Sequence, residues 1–178
     1  MPRIPAGELR TMPRALASPR WTALLNAVLV CALLPVTPPA DAARPPVAVI
    51  VHEQVPVEDL SLSELQQIFL GERQLWSQDL TITLLMPPRG SLERKVLLRK
   101  IYGQRSEVQY QHHWINKLFG DGAQIAPKIT GSPEMSASLA REIPGAIALV
   151  RANRIPEGVK VLRIDGKRPG ERGYPLVS

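Results

Sequence analysis

The sequence predicts an α/β fold on a mainly parallel sheet, and three observations carry that expectation. Short apolar runs alternate with amphipathic, helix-like segments from Val47 to Ile164, the order that lays helices over strands running the same way. Residues 47–52 (VAVIVH) and 146–150 (AIALV) are continuous apolar runs, which suit strands covered on both faces. Helix-like segments open on Ser61, Ser91 and Pro133, residue types that satisfy or dispense with the free N–H groups of a first turn.

Residues 47–52 are the first strand, read as part of a parallel sheet, and residues 53–59 a loop holding Pro56. Ser61 and Glu64 then make a capping-box pattern, with Leu62, Leu65, Ile68 and Phe69 on one helix face and Gly71 as the stop. Trp76 follows in a loop that covers an edge of the core. Residues 81–86 are the next strand, which ends at Pro87 and Pro88, turns through Arg89, Gly90 and Ser91, and continues as a helix to about Tyr102. A second helix, roughly residues 106–119, carries Val108, His112, Ile115 and Leu118 and closes at Gly120, Asp121 and Gly122. Residues 126–130 are a short strand, Gly131, Ser132 and Pro133 a turn, and residues 134–142 a helix behind its proline. Pro144 and Gly145 break the chain before AIALV. Residues 159–164 are the last strand, followed by an Asp165–Gly166 turn.

Composition is that of a globular chain, 44% hydrophobic and 21% charged over 178 residues, enough for one domain of ordinary size. Aromatics make up only 4%, so the core is expected to rest on Leu, Ile, Val and Ala. Residues 1–42 read as a secretory signal, with Arg3, Arg10, Arg14 and Arg20 ahead of an apolar run from Trp21 to Leu34 and a small-residue site at Ala40, Asp41 and Ala42. The run is short for a membrane span and Pro35 ends it; Met12 is an alternative start. Cys31 lies inside the run behind Val30, where a lipoprotein signal needs a small residue. Cleavage near Ala42 leaves residues 43–178 as a periplasmic or secreted α/β domain with no cysteine, no disulfide and no stable membrane insertion. That domain holds 18 basic and 14 acidic residues, an excess that fits an anionic ligand and falls far short of a nucleic-acid binder.

Arg89, Gly90 and Ser91 are the candidate ligand residues. The first amides of a helix lack internal partners, and the helix dipole favours negative charge there. Gly90 lets the backbone approach a ligand, Ser91 caps the helix with a free hydroxyl, and Arg89 attracts the anion. The same residues also read as an ordinary strand-to-helix connection with a Ser cap, since one Gly-Ser pair is a weak motif. Of the basic residues Arg89, Arg94, Lys95, Arg99, Lys100 and Arg105, only Arg89 is assigned to the site. The others read as a solvated helix face, the later ones favourable near the helix C-terminus.

Other chemistries lack their patterns. His112 and His113 are adjacent on a helix and point about 100° apart, so with no HExxH spacing no metal site is expected. Ser91 stands in R-G-S-L-E rather than a nucleophile elbow, and neither a Walker lysine nor a G-x-G-x-x-G is present. No enzyme activity and no cofactor are expected.

Several segments together match one family in order: LSLSELQQIFLGERQLW from Leu60, the strand with its Gly-Ser turn, Trp114, PGAIALV from Pro144, and VKVLRIDGKRPGERGYPL from Val159. The series resembles the phosphate-binding proteins of ABC uptake systems, and more closely their short, single-lobe secreted members. The resemblance implies a type 2 periplasmic-binding fold, here a single three-layer lobe. In the full-length family the turn looks like R-x-D-G-S-G-T, whose side chains surround phosphate. Matched to it, Pro87 stands at the Arg position, Arg89 at the Asp position, and Leu92 and Glu93 at the Gly and Thr. Ser91 alone survives as a side-chain ligand, and Glu93 repels a dianion unless it turns away. The resemblance implies as partners phosphate or a similar small oxyanion, together with an ABC permease or membrane sensor, or a second copy that covers the site. A ligand-free periplasmic interaction module contacting such a membrane partner stands as the alternative.

Overall fold

β1 (Val47–Val51) is buried along its whole length, as its unbroken β-branched run requires. In the computed structural model residues 45–178 are described, apart from 104, 105 and 122. The expected signal segment with Cys31 and its cleavage point, as well as Arg105 and Gly122, lie outside the described residues. β2 (Asp59–Leu60) leads into α1 (Leu62–Phe69), where Ser61 and Glu64 form the expected capping box. β3 (Leu75–Ser77) and β4 (Leu80–Thr81) make a small antiparallel hairpin ahead of β5 (Thr83–Met86). Then come α2 (Leu92–Val96), a π-helical turn over Leu97–Ile101, α3 (Glu107–Phe119), β6 (Lys128–Ile129), α4 (Pro133–Glu142) and β7 (Ala146–Arg151). β8 (Lys160–Val161) and β9 (Arg163–Ile164) end the series.

The central sheet has the order β6-β5-β7-β1-β8. β5 runs parallel to β6 and to β7, whereas β1 runs antiparallel to β7 and β8. Four of its five strands therefore point one way, and the sheet is mainly parallel. β1 is the reversed strand, contrary to its reading as a parallel one. Burial on both faces reports the two layers that cover a strand, and carries no information about its direction.

Alternate residues face the two helical layers. Val47, Val49, Val51, Leu84, Met86, Ile147 and Leu149 face α1, α2 and α3, whereas Ala48, Ile50, Leu85, Ala146, Ala148 and Val150 pack with Ala137 and Ala140 of α4. Alanines on both sides of that second contact let α4 lie close to the sheet. Each Val, Leu or Ile buried in these layers is worth about 1.5–3 kcal/mol relative to exposure.

Three local readings differ from the structure. The expected strand over residues 159–164 divides at Leu162: β8 pairs with β1, while β9 pairs parallel with β2. Trp76 lies in β3 rather than a loop, and its indole N–H donates to the Gly145 carbonyl at 2.9 Å. α3 buries Tyr110 and Trp114, not the face carrying Val108 and Ile115, which are exposed. Both rings bring large apolar area and place it where polar handles find partners: the Trp114 indole donates to the Tyr102 hydroxyl at 3.0 Å, and Tyr102 in turn donates to the Phe69 carbonyl. Despite their small number, Phe69, Trp76, Tyr102, Tyr110, Trp114 and Tyr174 are all buried.

Because β5, β6 and β7 are codirectional, their C-terminal ends form one edge, and α2 and α4 start there. Ligands of open α/β sheets bind outside this edge. Gly145 sets the register that brings the ends together. Its carbonyl accepts from Thr83 N at 3.0 Å as well as from Trp76, at φ +73°. A Cβ on Gly145 would lie 2.1 Å from the Thr81 carbonyl oxygen, whereas one on Gly90 meets nothing within 4 Å. Gly145→Ala is expected to lower unfolding free energy by more than about 3 kcal/mol and Gly90→Ala by only about 1–2 kcal/mol, compared by urea denaturation.

Candidate functional site

Pro88, Arg89, Gly90 and Ser91 make a tight turn after β5, closed by the Ser91 N–H donating to the Pro88 carbonyl at 3.3 Å. Gly90 takes the third place with φ +81°, the left-handed value that a type II turn demands and a side chain opposes. Ser91 caps α2: its Oγ accepts from the Arg94 N–H at 3.1 Å and keeps its own hydrogen to donate. Arg89 and Gly90 are exposed and Ser91 is half-buried. The three predicted residues thus form one continuous, accessible turn at the C-terminal edge of the sheet.

Directly below, the basic segment departs from the solvated face expected of it. Arg94 is 2% exposed. Its Nε and Nη2 donate to the two Glu107 carboxylate oxygens at 2.9 and 2.8 Å, and its guanidinium lies 3.9 Å over the Tyr110 ring. Burial opposes the charge on Arg94, but the bonds to Glu107 and Tyr110 outweigh it and hold the guanidinium protonated above its ordinary range. Glu107 is lowered, first by the Arg94 hydrogen bonds and further, against its own burial, by the charges of Arg94 and Arg89. Arg89 is thus within electrostatic reach of Glu107.

Glu93 also points inward. It is 1% exposed and sits 3.4 Å from Nε of Arg151 at the end of β7. The repulsion expected of it toward a dianion is met by turning away from the open side of the turn. Beside it, Ser132 caps α4 by accepting from the Met135 N–H at 3.1 Å, and Arg154 pairs with Glu134 at 2.9 Å. Thr130 Oγ1 donates to the Met86 carbonyl at 3.1 Å, which ties the end of β6 to that of β5.

His113 packs against Tyr102 and Trp114 with Nε2 3.0 Å from the Leu70 carbonyl, while the adjacent His112 is exposed. The two rings do not converge. Glu93, Arg94 and Arg151 are the residues that sequence reasoning missed. The signal was present in the spacing: Glu93 and Arg94 precede the buried Leu97 by four and three residues, which puts both on the inner helix face. Arg151 follows AIALV directly, so it had to stand at a strand end.

No family model matches the chain. Solved structures do. A protein described as a phosphate ABC transporter substrate-binding protein with bound phosphate, from Clostridium perfringens, matches with a TM-score of 0.60 at 19% identity, over 75% of this chain and 53% of that one. An ABC-type phosphate transport receptor from Vibrio cholerae matches with a TM-score of 0.60 at 16% identity, over 75% and 54%. PstS from Borrelia burgdorferi matches with a TM-score of 0.56 at 16% identity, over 75% and 55%. The chain has the fold of these proteins and spans about half their length.

The buried pair beneath the turn has a measurable signature. Glu107 titrates below its ordinary value near 4.5 in the folded protein, so its stabilisation is complete above that pH and is lost as pH falls through the lowered folded value. Glu107→Gln is expected to flatten the stability profile in this acid window. Glu107→Ala at neutral pH should cost about 2–4 kcal/mol, less than a fully buried pair because a third of Glu107 is exposed. Urea midpoints between pH 3 and 7 measure both.

Proposed function

We propose that this chain is an exported solute-binding lobe that holds phosphate or a similar oxyanion non-covalently at the end of β5. The observation that carries the reading is the Arg89–Gly90–Ser91 turn, open to solvent at the edge where strands end. Its fold is shared with proteins whose own names describe phosphate transport, one of them solved with phosphate bound. Ser91 supplies a hydroxyl donor, the backbone at Gly90 supplies close approach, and Arg89 supplies charge. Binding needs no covalent step, and no residue of this turn is set up as a nucleophile with a base.

A single lobe offers one side of a binding shell. Two or three charge-assisted hydrogen bonds at an accessible surface correspond to about millimolar affinity. A second copy of the chain, or a partner such as an ABC permease, would tighten it by covering the anion and removing its water. Export follows from reading residues 1–42 as a cleaved signal.

Calorimetric titration of the purified protein with phosphate at low salt tests the reading. Wild type should bind, Arg89→Ala should bind at least about tenfold more weakly, and Ser91→Ala should bind least. Equal heats from all three proteins, or none from wild type, would sink it.

A further inference from the structure

Opposite the open turn, the same strand edge holds a second cationic group that is neutralised from within. Glu93 is 1% exposed, and neither of its carboxylate oxygens has a hydrogen-bond partner among the described residues. Arg151 Nε is likewise buried without one, although the two stand 3.4 Å apart as an ion pair. A cavity of about 10 Å³ adjoins them, lined by Glu93, Pro133, Glu134, Val150, Arg151 and Arg154. The neighbouring charges are already matched, since Arg154 pairs with Glu134 and Ser132 caps α4. Among the described residues, the ion-pair partner of Arg151 is the Glu93 carboxylate.

A buried carboxylate without hydrogen bonds is retained at a cost. Here it takes the position that a small external anion would take beside the buried Nε edge of Arg151, a side chain that is otherwise 37% exposed. We infer that Glu93 is an internal counter-anion filling a buried carboxylate site around Arg151, which leaves the Arg89–Gly90–Ser91 turn as the place open to an external ligand. This inference rests on the oxyanion reading only in its second half; the first half stands on Glu93, Arg151 and the cavity alone. Truncation of Glu93 to Ala removes a CH2–COO⁻ unit, the size of acetate, and so defines the probe.

Thermal melts of wild type, Glu93→Ala, Glu93→Gln, Ser91→Ala/Glu93→Ala and Glu93→Ala/Arg151→Met, in sodium acetate against sodium chloride of equal ionic strength, test it. Acetate at about 100 mM should raise the Tm of Glu93→Ala by at least about 3 °C over chloride. Wild type, Glu93→Gln and Glu93→Ala/Arg151→Met should show no such difference. Ser91→Ala/Glu93→Ala should respond as Glu93→Ala does, whatever becomes of phosphate binding at Ser91. If Glu93→Ala is unfolded in chloride, recovery of its melting transition in acetate is the expected result. No acetate effect on Glu93→Ala, or an equal effect when Arg151 is also replaced, would overturn the inference.

Discussion

A guanidinium taken out of water must be met by a carboxylate, and the position of the candidate site depends on that requirement being satisfied at Arg94. The side chain leaves α2 inward, donates to both oxygens of Glu107 at the start of α3, and lies over the Tyr110 ring. Arg94 is also the residue whose amide Ser91 caps. Its backbone therefore orients the Ser91 hydroxyl while its side chain ties α2 to α3. Loss of the Glu107 carboxylate would leave a buried charge unpaired, and the helix that carries the turn would be the element to move.

The larger frame does a complementary job. Three parallel strands deliver their ends to one edge, and the reversed β1 supplies the buried partner on which β7 and β8 are registered. Gly145 joins the hairpin through Trp76 to the β5–β7 pair, so its carbonyl, with two donors, links the small sheet of β3 and β4 to the main one. Rigidity at this point matters because the candidate site is a four-residue turn whose third residue, Gly90, has no side chain to hold it. Its geometry is inherited from the strand before it and the cap after it.

Much of this was legible in the chain. VAVIV and AIALV announced fully covered strands, Ser61 and Pro133 marked real helix starts, and Gly90–Ser91 stood where a turn and a cap were needed. What escaped was of two kinds. Strand direction and the division of the last strand at Leu162 are set by pairing partners distant in sequence, which local periodicity does not record. Buried charge was the other: Arg94 was read as part of a solvated face because charged residues usually belong there, Glu93 was placed at the ligand turn with no partner named, and their partners Glu107 and Arg151 lie 13 and 58 residues away. The same blindness hid the aromatic side of α3, where Tyr110 and Trp114 outweigh the aliphatic residues.

The chain spans about half the length of its structural neighbours, and the proposed oxyanion site is its Arg89–Gly90–Ser91 turn. One site-resolved measurement tests that account most directly: backbone amide chemical shifts followed while inorganic phosphate is added at low salt. The account predicts saturable shifts centred on Gly90, Ser91 and Leu92, absent in Ser91→Ala. Shifts centred instead on the first turn of α4, or uniform small changes over the basic surface, would contradict it.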